Sequence, residues 1–333
     1  MTESNKYAIV FAGQGAQKPG MGKSLYDASP AAHAVFDEAG DQIKYDCFES
    51  DAGRLKQTEV TQPAVYTMDM AVYAAFRESL GIDEGGFPEF SGIAGFSLGE
   101  FAAFTAAGVI DSIKTGLSLV KQRSLFMKEA GLNEDGSQKG TMAAGIGDKE
   151  AVIALVKKTR GDGVLEAVNF NSPGQTVVAG DIAAVERFAK LAASDRAYGV
   201  KAIPLPVSGA FHSPIMKPAA EKLAAELEKY SFSEPAIPVY LNITGGLFGD
   251  FGDPDADTKT KMIMVQQIQN PVYWQKTIEA MAAAGIGTII EVGPGKTLTG
   301  LIRKIAPEVS ALHVEDAESL VETVKRVKES MPG

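Results

Sequence analysis

The chain has 333 residues, sized for about two domains, or one large domain carrying an insertion, at roughly 150 residues per domain. Hydrophobic residues at 45% and charged residues at 22% are the proportions of a globular chain and exclude dominant disorder. Lysine and arginine total 32 against 42 aspartates and glutamates, and the resulting charge of −10 argues against nucleic acid as a partner.

Strand-like and helical runs then alternate along the chain. Residues 7–12 form a short apolar run of the buried-strand kind. Residues 61–80 carry Val65, Met68, Val72, Ala75 and Phe76 at helical spacing and stop at Gly81. A second strand is expected over 92–96, a helix over 100–108, and an amphipathic helix over 114–130. A polar, turn-rich stretch follows at 131–137. Beyond it the order is strand 141–146, helix 149–158, strand 164–169, strand 176–180, helix 182–193 and strand 201–204. That is βαββαβ, the ferredoxin-like order, and it reads as a small inserted domain. After Pro206 the larger pattern resumes with helix 219–230, strand 239–243, helices 262–268 and 273–284, strand 288–292 and helix 296–305. The whole implies an α/β fold with a mainly parallel sheet covered on both faces, divided as 1–132, insertion 133–206, and 207–333.

No apolar run approaches the ~20 residues of a membrane helix, and the start Met1-Thr2-Glu3-Ser4-Asn5-Lys6 has no apolar targeting core. The single cysteine, Cys47, excludes an internal disulfide and a cysteine metal cluster, and the expected location is cytoplasmic, away from membranes.

The strongest chemical signal is Gly95-Phe96-Ser97-Leu98-Gly99-Glu100. It matches G-x-S-x-G, entered by a strand and left by an Ala-rich helix. In such an elbow the serine sits on a strained strand-to-helix turn, the flanking glycines remove colliding side chains, and the N–H after the serine points at an oxyanion. A serine hydroxyl needs a base, and the chain has three histidines, His33, His212 and His313. His33 lies in a helical stretch, 31–39, ahead of any elbow. His313 lies near the C-terminus, where simple serine hydrolases place theirs. His212 lies in a Gly- and Pro-flanked loop where the insertion rejoins. The residues alone favour His212 over His313 without deciding between them. Two glycine-rich pieces fail as phosphate loops on spacing: Gly13-Gln14-Gly15 lacks its third glycine at Lys18, and Gly295-Lys296-Thr297 lacks a first glycine at Ile290. Gly13-Gln14-Gly15 reads instead as a tight turn that brings a backbone N–H close to something.

Together these motifs make the chain resemble the malonyl-CoA:acyl-carrier-protein transacylases of bacterial fatty-acid synthesis and the related acyltransferase domains of polyketide synthases. The resemblance runs from about Tyr7 to about Ile305. Besides the serine motif it rests on Gly13-Gln14-Gly15-Ala16-Gln17, Thr61-Gln62-Pro63-Ala64, Gln122-Arg123, Asn169-Phe170-Asn171-Ser172-Pro173-Gly174-Gln175, Gly209-Ala210-Phe211-His212-Ser213, Asn270-Pro271-Val272 and Glu291-Val292-Gly293-Pro294-Gly295-Lys296. It implies an α/β-hydrolase-like core with the ferredoxin-like insertion. Ser97 would be the acylated nucleophile and His212 its base, with the backbone N–H groups of Gln14 and Leu98 as the oxyanion hole. Gln62 would line the acyl pocket, and a backbone carbonyl near Gln267 would orient His212 in place of an aspartate. Arg123 would grip the free carboxylate of a malonyl group; read by itself it is an arginine on an amphipathic helix, within reach of Glu129. Malonyl-CoA and acyl carrier protein are the implied partners, with no cofactor and no metal; the sequence offers no sign of oligomerisation, and a monomer is the default expectation. The family usually has histidine before the serine, and here that residue is Phe96.

An acidic carrier and the CoA phosphates both seek positive charge. Arg187, Lys190, Arg196 and Lys201 in the insertion form one candidate docking patch, and Lys296, Arg303 and Lys304 lie near the chain end. Gly293-Pro294-Gly295 is expected to be a turn, Asn169 and Asn171 to hold the two domains together, and Trp274, Met68, Met70, Met127 and Met216 to fill the core. A trans-acting polyketide acyltransferase, a plain serine hydrolase using His313 and a silent binding protein are the competing readings.

Overall fold

A computed structural model describes residues 6–82 and 90–330. Residues 1–5, read above for targeting, lie outside the described residues, as do the extreme ends of the two outer spans.

Among the described residues, two separate four-stranded sheets organise the chain. The first is wholly parallel, in the order β2 (Gly92–Gly95), β1 (Lys6–Phe11), β7 (Ile286–Val292), β8 (Ser310–Val314). β1, β2 and β7 are short apolar runs buried on both faces, as a parallel sheet covered by helices requires, while the edge strand β8 is only partly buried. On one face lies α4 (Thr58–Leu80), a 23-residue helix almost wholly buried and closed by Gly81 in the left-handed conformation. It packs against α2 (Pro30–Ala39), α5 (Gly99–Ala106) and α6 (Ile113–Ala130). The other face is covered by α11 (Trp274–Ala283) and α12 (Thr297–Ile305), around a cluster that holds Trp274, Ile278 and Ile302.

The second sheet is antiparallel, in the order β4 (Leu165–Ser172), β5 (Gln175–Asp181), β3 (Gly140–Ile146), β6 (Lys201–Pro204). Period-two alternation assigns its side chains to two cores. Ala143, Leu165 and Val178 point to a small cluster under α7 (Lys149–Thr159) and α8 (Ile182–Ser194). Met142, Ala144, Val177 and Ala179 point the other way, into the main core. The sheet is thus a wall with one face on its own helices and one on the rest of the molecule.

The expected strand over 239–243 does not form. Val239 makes one parallel bridge to Ile93 and Tyr240 one antiparallel bridge to Leu247, because the chain turns back at Gly245 after two residues of pairing. Four further elements have no counterpart in the sequence reading: α1 (Lys23–Ala28), α3 (Asp41–Phe48), β8 and α13 (Ala317–Glu329). Two helices fill out the remainder: α9 (Lys217–Leu227) and α10 (Ala256–Gln269), the latter six residues longer at its start than the expected 262–268.

Candidate active site

The carboxyl ends of β1 and β7 lie side by side where their onward connections run to opposite sides, β1 toward β2 and β7 toward β8, the crevice in which open α/β sheets assemble their sites. The chain turns there with almost no space. A Cβ on Gly95 would stand 1.9 Å from the Gly99 carbonyl group, and one on Gly99 would stand 2.5 Å from the Phe11 carbonyl oxygen. Both glycines of the motif are therefore fixed by backbone against backbone. Between them Ser97 has φ 52; it and His212 (φ 62) are the two non-glycine residues with positive φ among the described residues. Such strain costs of order 1–3 kcal/mol per residue and persists only where the surroundings over-determine it.

The surroundings do so here. The backbone N–H of Ser97 donates to Asn242 Oδ1 at 2.7 Å, and its carbonyl accepts from Gln267 Nε2 at 2.7 Å. The loop that carries His212 is held by its N–H on the Ile268 carbonyl (3.1 Å) and by Ser213, whose hydroxyl donates to the Ala210 carbonyl at 2.6 Å. The result places His212 Nε2 2.7 Å from Ser97 Oγ, while Nδ1 lies 2.8 Å from the backbone carbonyl of Gln267. With that carbonyl accepting, Nδ1 carries the proton and Nε2 is left as the acceptor facing the hydroxyl. Burial, and then the neighbouring Arg123 charge, push the imidazole down to about 4, so it is neutral at pH 7. His313 sits on β8, opposite Glu291, and is not part of this cavity; His33 is half-exposed and stacks on Tyr26.

Arg123 is fully buried on α6, a helix capped by Ser112. It does not pair with Glu129, which lies at the surface with Lys222. Its guanidinium donates to Gln62 Oε1 (2.7 Å), Gln267 Oε1 (3.0 Å) and Ser97 Oγ (3.2 Å), and its Nε has no partner. Burial lowers it to about 10, so it stays charged at neutral pH. Gln14 and Leu98 line the same cavity, about 90 Å³ in volume, and Gln14 accepts from Gln62 Nε2 at 3.3 Å.

Outside this cavity a groove of about 430 Å³ runs between the two sheets. Phe96 borders both spaces, half-buried and edge-on to Trp274 at 5.4 Å. Two expectations hold in part and are extended here. The backbone around Asn169 does bridge to Val272, but the side-chain oxygens of Asn169 and Asn171 have no partner, and both residues line the groove. Met127 is a cavity residue as well as core, its sulfur taking a hydrogen bond from Gln62. The basic patch is also altered. Arg187 spends its guanidinium on the carbonyls of Thr159 and Arg160, tying α8 to α7, while Lys190, Arg196 and Lys201 are exposed; none of the four lines the groove.

Two residues of the site carried no assignment in the sequence. Asn242 is a polar residue inside the apolar run 239–243, and Glu100 is an acid opening an otherwise apolar helix; that misplaced polarity is the available signal.

A half-buried serine hydrogen-bonded to a buried imidazole, beside a buried guanidinium, suits acyl transfer through a serine with an acyl group that carries a negative charge. The chain belongs to the acyl transferase domain family, whose model matches residues 8–330. It is 38% identical over 331 residues to the malonyl CoA-acyl carrier protein transacylase of Bacillus subtilis (strain 168), covering 98% of each chain. Among solved structures it is similar to the malonyl CoA-acyl carrier protein transacylase of Clostridium perfringens, with TM-score 0.85 and 35% identity over 97% of this chain and 98% of that one. A malonyl-transacylase solved in complex with a type II polyketide-synthase acyl-carrier protein gives TM-score 0.85 and 36% identity over 96% and 99%.

Proposed function

We propose that this protein transfers the malonyl group from malonyl-CoA to the phosphopantetheine thiol of an acyl carrier protein in fatty-acid biosynthesis, through an acyl-serine. The observation that carries the reading is the Arg123 guanidinium, wholly buried and 3.2 Å from Ser97 Oγ. A three-carbon diacid esterified to that oxygen fits a cavity of about 90 Å³ and brings its free carboxylate to the guanidinium fork.

In this reading Ser97 attacks the thioester carbonyl as His212 Nε2 takes its proton, and the Gln267 carbonyl steadies the imidazolium through Nδ1. The N–H groups of Gln14 and Leu98 hold the oxyanion, each worth ~2.7–4 kcal/mol of barrier. His212 returns the proton to the departing CoA thiolate. The carrier thiol then attacks the malonyl-serine by the same steps in reverse. Gln62 shapes the acyl pocket. No metal or cofactor enters the chemistry.

We further assign an α/β-hydrolase-like core over 1–132 and 207–333 and a ferredoxin-like insertion over 133–206, a reading supported by the strand order β4-β5-β3-β6 beneath two helices. The groove between the two is the path for the pantetheine arm, and Lys190, Arg196 and Lys201 are a flanking patch for the acidic carrier. The protein is taken to act as a cytoplasmic monomer. Among the described residues no helix is long and apolar enough to cross a membrane.

Incubation with radiolabelled malonyl-CoA and peptide mapping tests the reading. Label on Ser97 that chases onto a holo acyl carrier protein is expected. Label elsewhere, or release of free malonate with no transfer, overturns it.

A further inference from the structure

Glu100, in the first turn of α5, is 1% exposed and has no task in the transfer chemistry above. Three N–H donors converge on its carboxylate: the Asn242 backbone (2.7 Å) and side chain (3.0 Å) on Oε1, and Gln267 Nε2 (2.8 Å) on Oε2. A group that accepts on both oxygens and donates to nothing suits an ionised carboxylate and not an amide.

What those donors do elsewhere gives the contact its reach. Asn242 also holds the Ser97 N–H through Oδ1 and donates to the Gly95 carbonyl at 2.6 Å. Gln267 also holds the Ser97 carbonyl, accepts from His212 through its own carbonyl, and accepts from Arg123 through Oε1. One carboxylate thereby pins the two side chains that fix the nucleophile, the imidazole and the guanidinium.

Charge gives a second, independent argument. Arg123 is buried, and each of its hydrogen-bond acceptors is neutral. A carboxylate bonded directly to it would fill the fork. Glu100 instead stands one amide away, on the far side of Gln267, with Arg123 as the charge acting on it. The guanidinium thus has its counter-ion at one remove, and with an unpartnered Nε and only neutral acceptors it carries no carboxylate that a ligand's would have to displace.

We infer that Glu100 is a positioning residue of this site, an ionised anchor for Asn242 and Gln267 and the remote counter-ion of Arg123. The inference rests on the malonyl-transfer reading for its kinetic part only.

The test is Glu100→Gln, which must turn an NH₂ toward at least one of the three donors. Single-turnover malonylation of Ser97 is expected to slow by at least about tenfold, with little change in apparent KM for malonyl-CoA. The pH profile separates this from general loosening. Burial holds Glu100 up at about 7, against the hydrogen bonds and the Arg123 charge that pull it down. The facing ionisable groups are Arg123, charged throughout, and His212, neutral down to about 4. Wild-type malonylation should therefore fall as pH drops through about 7, and E100Q should lack that limb.

Stability supplies a readout free of activity. Arg123→Met strands one buried charge and E100Q the other, while the double variant strands neither, so its Tm loss should be smaller than the sum of the single losses. If E100Q alone does not fold, the double variant should recover a folded protein. Wild-type Ser97 labelling with an unchanged rate and acid limb in E100Q, or a double variant with additive or worse loss, overturns the inference. Wild-type protein that takes no malonyl label overturns the transfer reading instead, and the stability cycle still decides the role of Glu100.

Discussion

The two sheets differ in how far they are buried, β2 wholly and β6 nowhere, and in where the backbone is strained. Around the parallel sheet, at the Ser97 elbow, main chain meets main chain at distances that admit no side chain, and two residues sit in left-handed backbone. The antiparallel sheet has close backbone approaches of its own, at Gly140 and Gly180 between paired strands, but among its described residues no non-glycine residue has positive φ, and it keeps a small core under α7 and α8. Reactive geometry is concentrated where the backbone has no freedom. The second layer supplies a wall of the cavity, through Met142 and Asn169, and an outer surface.

Variants should divide along that line. Ser97→Ala is expected to remove acyl-enzyme formation, lowering turnover by about 10⁴-fold or more, as read by mass spectrometry of the serine peptide. Gly95→Ala should cost more than about 4 kcal/mol, since no movement of one side chain relieves a 1.9 Å contact with backbone. Failure to accumulate folded protein is its expected signature; a normal melting curve would show that the elbow can yield. Arg123→Ala should lose malonyl transfer by about 10²–10³-fold and gain relative activity on acetyl-CoA. Equal falls for the two acyl groups would remove the carboxylate clamp.

The remaining variants belong to the second layer. Leu165→Ala, at a fully buried position of the small core, should lower stability by about 2–5 kcal/mol while Ser97 acylation per folded molecule changes little. A parallel collapse of acylation would mean that the wall also aligns the chemistry. Lys190→Glu should have the smallest effect: unchanged acylation by malonyl-CoA, and a few-fold weaker apparent affinity for the carrier that fades as salt rises. The absence of any effect at low salt would remove the patch from the carrier's path.

Much of the fold was legible because alternating apolar runs of strand and helix length are local signals. The segment 239–243 misled because its apolar run is that of a strand, whereas its neighbours allow it two bridges and a turn. At the site, Ser97 was legible from five consecutive residues. His212 needed the resemblance, since the loop's own residues could not exclude His313. Arg123 was less legible still. Its burial depends on Gln62 and Gln267, 61 and 144 residues away, and nothing in its own helix distinguishes it from a surface arginine. Asn242 and Glu100 were missed for the same reason, being joined across 142 residues.

The left-handed backbone at Ser97 bears on which nucleophiles this fold can host. Threonine supplies the same hydroxyl, yet its branched Cβ is poorly accommodated at positive φ, so the exchange that looks mildest on paper is shut out by conformation. Cysteine, unbranched and close in size, enters the bend without that penalty. The protein is thus one atom away from a thiol enzyme and much further from a threonine one.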